Sequence, residues 1–273
     1  MRINKFYGTV LSISTIVGAT TLALHFNKSS EPVSVLAASW QNSFCEINQK
    51  AAECLDQHPN YPNKTDATRA DFKNFSLHGL WPTSYDNEER NNFIFCNTRK
   101  IPSKTDWKYI KPIELSKQTR AELNNVMPGS QSHLDRWEWE KHGTCHPTTE
   151  HGGAEEYYLD SLYLMSQLNQ SKVQQFFEEN IGHNVSVDDI RESFDVAFGE
   201  GAGQRVQVKC NDEYGLITEI RLRLQGKIIN NKTTLKELLH AAQPFTDEDQ
   251  QCQSGYIDEP GFKYPDQPIA IEP

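Results

Sequence analysis

The pattern of apolar and polar residues divides the chain into short elements of two kinds. Residues 72–81 alternate, with Phe75 and Leu77 on one face and Ser76 and His78 on the other, which predicts a strand. Ser116 is placed to cap a helix running to about Val126, stopped by Pro128-Gly129. Helical spacing recurs over 155–168 (Leu159, Leu162, Tyr163) and 172–181 (Val173, Phe176, Phe177), the second ending at Gly182. Ser186 and Asp189 form a capping-box pattern before Ile190, Phe194 and Ala197, and Gly199 ends that helix. The period then becomes two: Val206 and Val208 alternate, as do Leu216, Thr218, Ile220, Leu222 and Leu224, with Asn211 to Gly215 as the hairpin connection. Helices and strands are segregated, without βαβ alternation. The class is α+β, a central antiparallel sheet flanked by helices. No internal repeat or long linker divides it, so one domain runs from about Ser39 to the end.

The first forty residues have a different pattern. Arg2 and Lys5 precede a stretch without charged residues from Phe6 to Asn27, densest in apolar residues from Val10 to Leu24, and then the small-residue run Leu36-Ala37-Ala38-Ser39. These are the parts of a secretory signal, with Val35 and Ala37 suited to positions −3 and −1 and a cut before Ala38. Residues 1–37 are therefore expected as a signal peptide and 38–273 as the functional domain. The rival is an uncleaved anchor, for which the uncharged stretch is long enough but poor in strongly apolar residues.

The chain has 273 residues, 37% hydrophobic, which is enough for one sizeable core and too apolar for a disordered chain. Its formal net charge is −10, and loss of residues 1–37 makes it −12. Broad charge attraction to a polyanion is excluded, so a polyanionic substrate needs a local cationic site. Export also sets the reading of the cysteines. Cys45, Cys54, Cys96, Cys145, Cys210 and Cys252 are even in number, with no Cys-x-x-Cys pair. In an oxidising compartment this favours three disulfides, although six cysteines allow 15 pairings and spacing does not choose among them.

Two segments carry the chemistry: Phe75-Ser76-Leu77-His78-Gly79-Leu80-Trp81-Pro82 and Trp137-Glu138-Trp139-Glu140-Lys141-His142-Gly143-Thr144-Cys145. If 136–142 is helical, side chains turn by about 100° per residue, which puts Glu138, Lys141 and His142 in one arc with Trp137. His78, on the polar face of a strand, is placed to close on that arc. One neutral and one protonated imidazole can serve as base and acid in phosphoryl transfer, with a lysine stabilising the charge that develops. The competing structural explanation is a solvated helix face with an i,i+4 pair. His142 and His146 have the spacing of a metal pair, but no Glu lies between them, and Gly143 and Pro147 interrupt that helix. No metal and no cofactor are expected.

Both segments resemble the two signatures of the ribonuclease T2 family, acid endoribonucleases that include plant self-incompatibility ribonucleases. The resemblance spans about residues 40–255 and implies an α+β fold. It assigns His78 and His142 as the catalytic histidines, with Glu138 and Lys141 supporting the charged transition state. Trp81 matches a residue that helps hold a base. Cys96–Cys145 follows as the disulfide between the signatures, with Cys45–Cys54 and Cys210–Cys252 as the other two. In one position the chain departs: the second signature usually opens with a phosphate-contacting histidine, where this sequence has Trp137. A tryptophan donates one N–H and carries no charge. The expectation is that Trp137 weakens the phosphate contact, so that Trp137→His would raise kcat/KM.

The implied activity is metal-independent cleavage of single-stranded RNA. One histidine deprotonates the ribose 2′-OH and the other protonates the leaving oxygen, through a 2′,3′-cyclic phosphate, by a monomer in a secreted, periplasmic or other exported compartment. DNA lacks the nucleophile and is excluded as a substrate. Rival classes are an inactive secreted relative of the same fold and a zinc hydrolase using His142 and His146. Within residues 38–273, five Asn-x-Ser/Thr sites (Asn63, Asn74, Asn169, Asn184, Asn231) matter only where the host glycosylates.

Overall fold

Alternating side chains on three neighbouring strands give the sheet one apolar and one chemical face. The computed structural model describes residues 31–57, 69–83, 94–97, 107–147, 152–246 and 252–262. The central strands are β1 (Val33–Ser39), β2 (Ser76–Thr83), β4 (Val206–Asn211) and β5 (Leu216–Gln225). Two short strands, β3 (Asn184–Ser186) and β6 (Ser254–Tyr256), complete a six-stranded sheet. β1 lies between β2 and β5 and is antiparallel to both, and β4 is antiparallel to β5. Leu36 and Ala38, Val206 and Val208, and Ile220, Leu222 and Leu224 face the core. The alternate residues Ser39, Lys209, Glu219 and Arg221 line a cavity on the other side. The α+β class is as expected, although β5 and β6 pair in parallel at Leu216 and Tyr256.

Helices cover the apolar face and end where their caps dictate. α1 (Gln41–Ile47) follows β1 directly. Ser116 accepts from the Thr119 N–H to start α2 (Lys117–Val126). α4 (Gly153–Asn169) and α5 (Lys172–Glu179) follow α3 (Leu134–Lys141), and α6 (Val187–Phe198) opens on the Ser186–Asp189 capping box. α7 (Leu235–Ala241) opens on a second box formed by Thr234 and Glu237, which the hydrophobic pattern alone did not mark. Reciprocal side-chain bonds of this kind satisfy two otherwise unpaired N–H groups at a helix start.

Three details depart from the alternation read off the sequence. β2 starts at Ser76 and continues through Pro82 to Thr83, while residues 70–72 form a 3₁₀ turn. Proline is tolerated because β2 is an edge strand whose outer N–H groups need no partner. β2 also bulges: Leu77 pairs with Ala38 and Gly79 with Ala37, leaving His78 as the extra residue. A second bulge leaves Thr218 extra, since Lys209 pairs with Glu219 and Cys210 with Ile217. The parity of β5 therefore changes there, so that Ile217, not Thr218, shares the core with Ile220. Bulges re-aim side chains and are common next to active sites.

The cleavage position expected between Ala37 and Ala38 falls inside β1, between two residues with no exposed surface. A cut there would remove five of the seven residues of a strand hydrogen-bonded on both sides. The small residues of that run form part of β1. The apolar stretch before it lies outside the described residues, as does Asn63. The three disulfides are Cys45–Cys54, Cys96–Cys145 and Cys210–Cys252, the pairing implied by the resemblance, and no free cysteine remains. Three disulfides fit an oxidising compartment.

Candidate active site

Trp81 is the hub on which the sequence-assigned residues converge. Its indole N–H donates to Glu138 Oε2 at 2.7 Å. The His142 ring lies 5.4 Å from its centroid at 31°, and the His78 ring meets it edge-on at 5.2 Å. Glu138 sits in the last turn of α3, and His142 caps that helix, its N–H bonded to the Glu138 carbonyl at 2.9 Å. The expected arc of α3 thus carries Glu138 and His142 to β2. Gly79 permits this approach, because a methyl group at that position would overlap the Glu138 carboxylate and the Trp81 nitrogen. Behind β2, the Leu80 N–H donates to the Tyr157 hydroxyl on α4 at 3.2 Å and fixes the strand against that helix.

His78 has a partner that the sequence motifs did not include. Its Nδ1 lies 2.5 Å from Glu219 Oε2, and Glu219 Oε1 accepts from Arg221 Nε at 2.6 Å. Glu219 and His78 lie on strands separated by β1, and they meet across Ser39 and Ala37, the residues paired with Glu219 and Arg221. Small side chains in the intervening strand leave room for the longer ones to join above it. The sequence signal was present in the alternation Glu219-Ile220-Arg221-Leu222-Arg223, which puts the charges on one face. Nothing in the pattern said that this face would meet the His78 strand.

The electrostatics follow from these contacts. Burial alone would raise the Glu219 pKa, yet His78 and Arg221 hold it down to about 2. Glu219 is therefore an anion that accepts a hydrogen bond from His78 Nδ1–H. Partial burial favours the neutral His78 imidazole, but attraction and hydrogen bonding to Glu219, with Glu138 adding, outweigh it, and the net shift is upward. Burial moves Glu138 upward too, against the pull of His78, the Trp81 N–H and Lys141. With Nδ1 bound to an anion, Nε2 is the His78 nitrogen that gains and loses a proton. It lies 3.8 Å from Glu138 Oε1, beyond hydrogen-bond distance. The ring is a third exposed and borders a cavity of about 440 Å³.

Lys141 stands beside this group, close enough for its charge to act on Glu138, with Nζ 5.7 Å from the centre of the Trp137 ring. Two tryptophans of the signatures are largely buried. Trp81 is only 8% exposed, and Arg221 lies 4.9 Å over its ring. Trp137 is 6% exposed, stacked on Trp107 at 5.8 Å and edge-on to Phe95 at 5.7 Å. It packs an aromatic cluster where the signature has a phosphate-binding histidine. With this packing, Trp137→His is expected to lower stability by about 2–4 kcal/mol, in the range for truncating a buried aromatic, with no gain in kcat/KM. Thermal melting with steady-state kinetics on RNA checks this, and a faster enzyme at acid pH would show instead that the tryptophan weakens a phosphate contact.

The Phe95 N–H donates to the Lys141 carbonyl at 2.7 Å, and Cys96–Cys145 closes the same turn after His142. His146 points elsewhere: its Nε2 is 2.8 Å from buried Asp160 on α4. His146 is thus held by a buried hydrogen bond to α4, and among the described residues no group of three His, Cys, Asp or Glu is placed to hold a metal.

The Ribonuclease T2 family profile matches residues 32–240, beginning just before β1. Ribonuclease I of Escherichia coli is 29% identical over 236 residues, covering 77% of this chain and 81% of that protein. Among solved structures, the T2 ribonuclease Actibind aligns with a TM-score of 0.51 at 17% identity, over 86% of this chain and 90% of its own. The self-incompatibility SF11-RNase of Nicotiana alata aligns with a TM-score of 0.45 at 17% identity, over 76% and 95%. The profile covers most of the chain, including both segments that converge on Trp81, and the chain belongs to the Ribonuclease T2 family.

Proposed function

We propose that this chain is an endoribonuclease that cleaves single-stranded RNA by transphosphorylation, without a metal. The observation that carries the reading is the pair His78 and His142 on one indole, with Nδ1 of His78 anchored to an anion and Nε2 beside a cavity. His142 removes the 2′-OH proton, and the 2′-oxygen attacks the adjacent phosphorus. The bond to the 5′-oxygen breaks as His78 Nε2–H protonates that leaving group. Lys141 stabilises the phosphorane charge, while Glu138 holds Trp81 and attracts His78 and Lys141 into the site. The 2′,3′-cyclic phosphate is then opened by water with the roles reversed, giving a 3′-phosphate. The raised pKa of His78 supports its assignment as the acid, since it keeps its proton over more of the pH range.

The cavity falls within the 300–1,000 Å³ usual for small-molecule sites, which suits one nucleotide unit. We further propose that a leader ends before Val33, so that β1 is kept whole after export. Incubating the purified protein with RNA and with DNA of the same sequence, with and without EDTA, tests the reaction. Cleavage of RNA alone, unchanged by EDTA and passing through a cyclic phosphate, is the expected result. Loss of activity with EDTA would overturn metal independence, and intact RNA would favour the inactive relative.

A further inference from the structure

We propose that Arg221 grips a substrate phosphate, supplying the cationic contact that the chain lacks at Trp137. The proposal rests on the reading of RNA as substrate. Arg221 lines the cavity with His78 and Glu219, and its side chain is 31% exposed. Among the described residues its hydrogen bonds use Nε alone, bound to Glu219 at 2.6 Å. That bond and the Trp81 ring beneath hold the guanidinium in place. The Nη1 and Nη2 donors remain, in the fixed planar fork that matches two phosphate oxygens.

The other charges near the cavity are worse placed for this role. Lys141 lies along the Trp137 ring. Lys209 shares the cavity but is 9% exposed. The whole chain is anionic, with a net charge of −10, so a polyanion gains no help from the rest of the surface. Ala37 of β1, paired with Arg221 of β5, leaves the guanidinium room above the sheet.

A single-stranded 2′-O-methyl oligoribonucleotide, which lacks the nucleophile and is not cleaved, separates this proposal from the reaction. Its affinity is measured against salt for the wild type, Arg221→Gln and Arg221→Lys, alongside cleavage of the matching RNA by the wild type. Arg221→Gln is expected to bind about tenfold more weakly, the usual worth of a charge-assisted contact. The slope of log affinity on log salt should fall by about 0.7, the value for one phosphate contact on a single strand. Arg221→Lys should keep the slope and lose part of the affinity, because it retains the charge without the fork. It also provides the measurement if Arg221→Gln does not fold. Unchanged affinity and slope in Arg221→Gln, or a reduced slope in Arg221→Lys, would overturn the grip whatever the wild type does to RNA. A wild type that leaves RNA intact while Arg221→Gln still binds more weakly overturns the reaction and supports the grip.

Discussion

Replacing either histidine on Trp81 is expected to reduce RNA cleavage by roughly 10²–10⁴-fold, the usual contribution of a positioned general acid or base. His78→Ala removes the imidazole that protonates the leaving oxygen, and His142→Ala removes the one that deprotonates the 2′-OH. The two act in one step, so the double variant should lose little more than the worse single variant. His142 is 1% exposed, and its removal also opens space beside Trp81. His142→Asn, which fills more of that space, and a melting curve for each variant separate lost chemistry from lost structure. A folded single variant with native kcat/KM would refute the mechanism.

The second large effect is expected at Glu219. Glu219→Gln removes the anion that holds the His78 pKa up, so His78 should release its proton at lower pH than in the wild type. If His78 is the acid, the alkaline limb of kcat/KM moves to lower pH. At pH above both limbs the loss is then about tenfold for every pH unit the limb moves, and it shrinks as pH falls through them. The same pair gives a stability signature. The raised His78 pKa makes its share complete below the ordinary value of 6.5 and lost as pH climbs through the raised one. The lowered Glu219 pKa makes its share complete above 4.5 and lost as pH falls towards 2. The melting temperature of Glu219→Gln should therefore differ most from the wild type between about pH 5 and 6.5. A pH–rate profile identical to that of the wild type would show that Glu219 does not govern the histidine.

Much of this arrangement is legible in the chain because its signals are local. Ser116, Ser186 and Gly199 punctuate helices through bonds to their own backbone neighbours, and the structure uses each one in that way. Glu138 and His142 share a helix end, so one turn of geometry suffices to place them together. The departures come from tertiary context. The motif puts Trp137 at the phosphate, but Phe95 and Trp107, distant in sequence, enclose it. Glu219 is 141 residues from His78, and only the order of strands brings them together. The run Leu36-Ala37-Ala38-Ser39 has the composition of a cleavage site because small residues suit a peptidase groove. They equally suit the middle of a crowded sheet, and the pattern does not tell these apart.

The bridge from His78 to Glu219 turns that middle strand into a ruler. The outer strands are two spacings apart, about 9.5 Å, and two side chains of fixed length must span them. Charge and reach can then be varied separately. Glu219→Asp keeps the anion but is one methylene shorter, about 1.5 Å, so the carboxylate would still attract the imidazole without touching Nδ1. Such a site would retain much of the electrostatic bias on His78 and lose the orientation of Nε2. Tolerance at position 219 is thus set by length as strictly as by charge, and a larger residue at Ala37 would interrupt the same span from below.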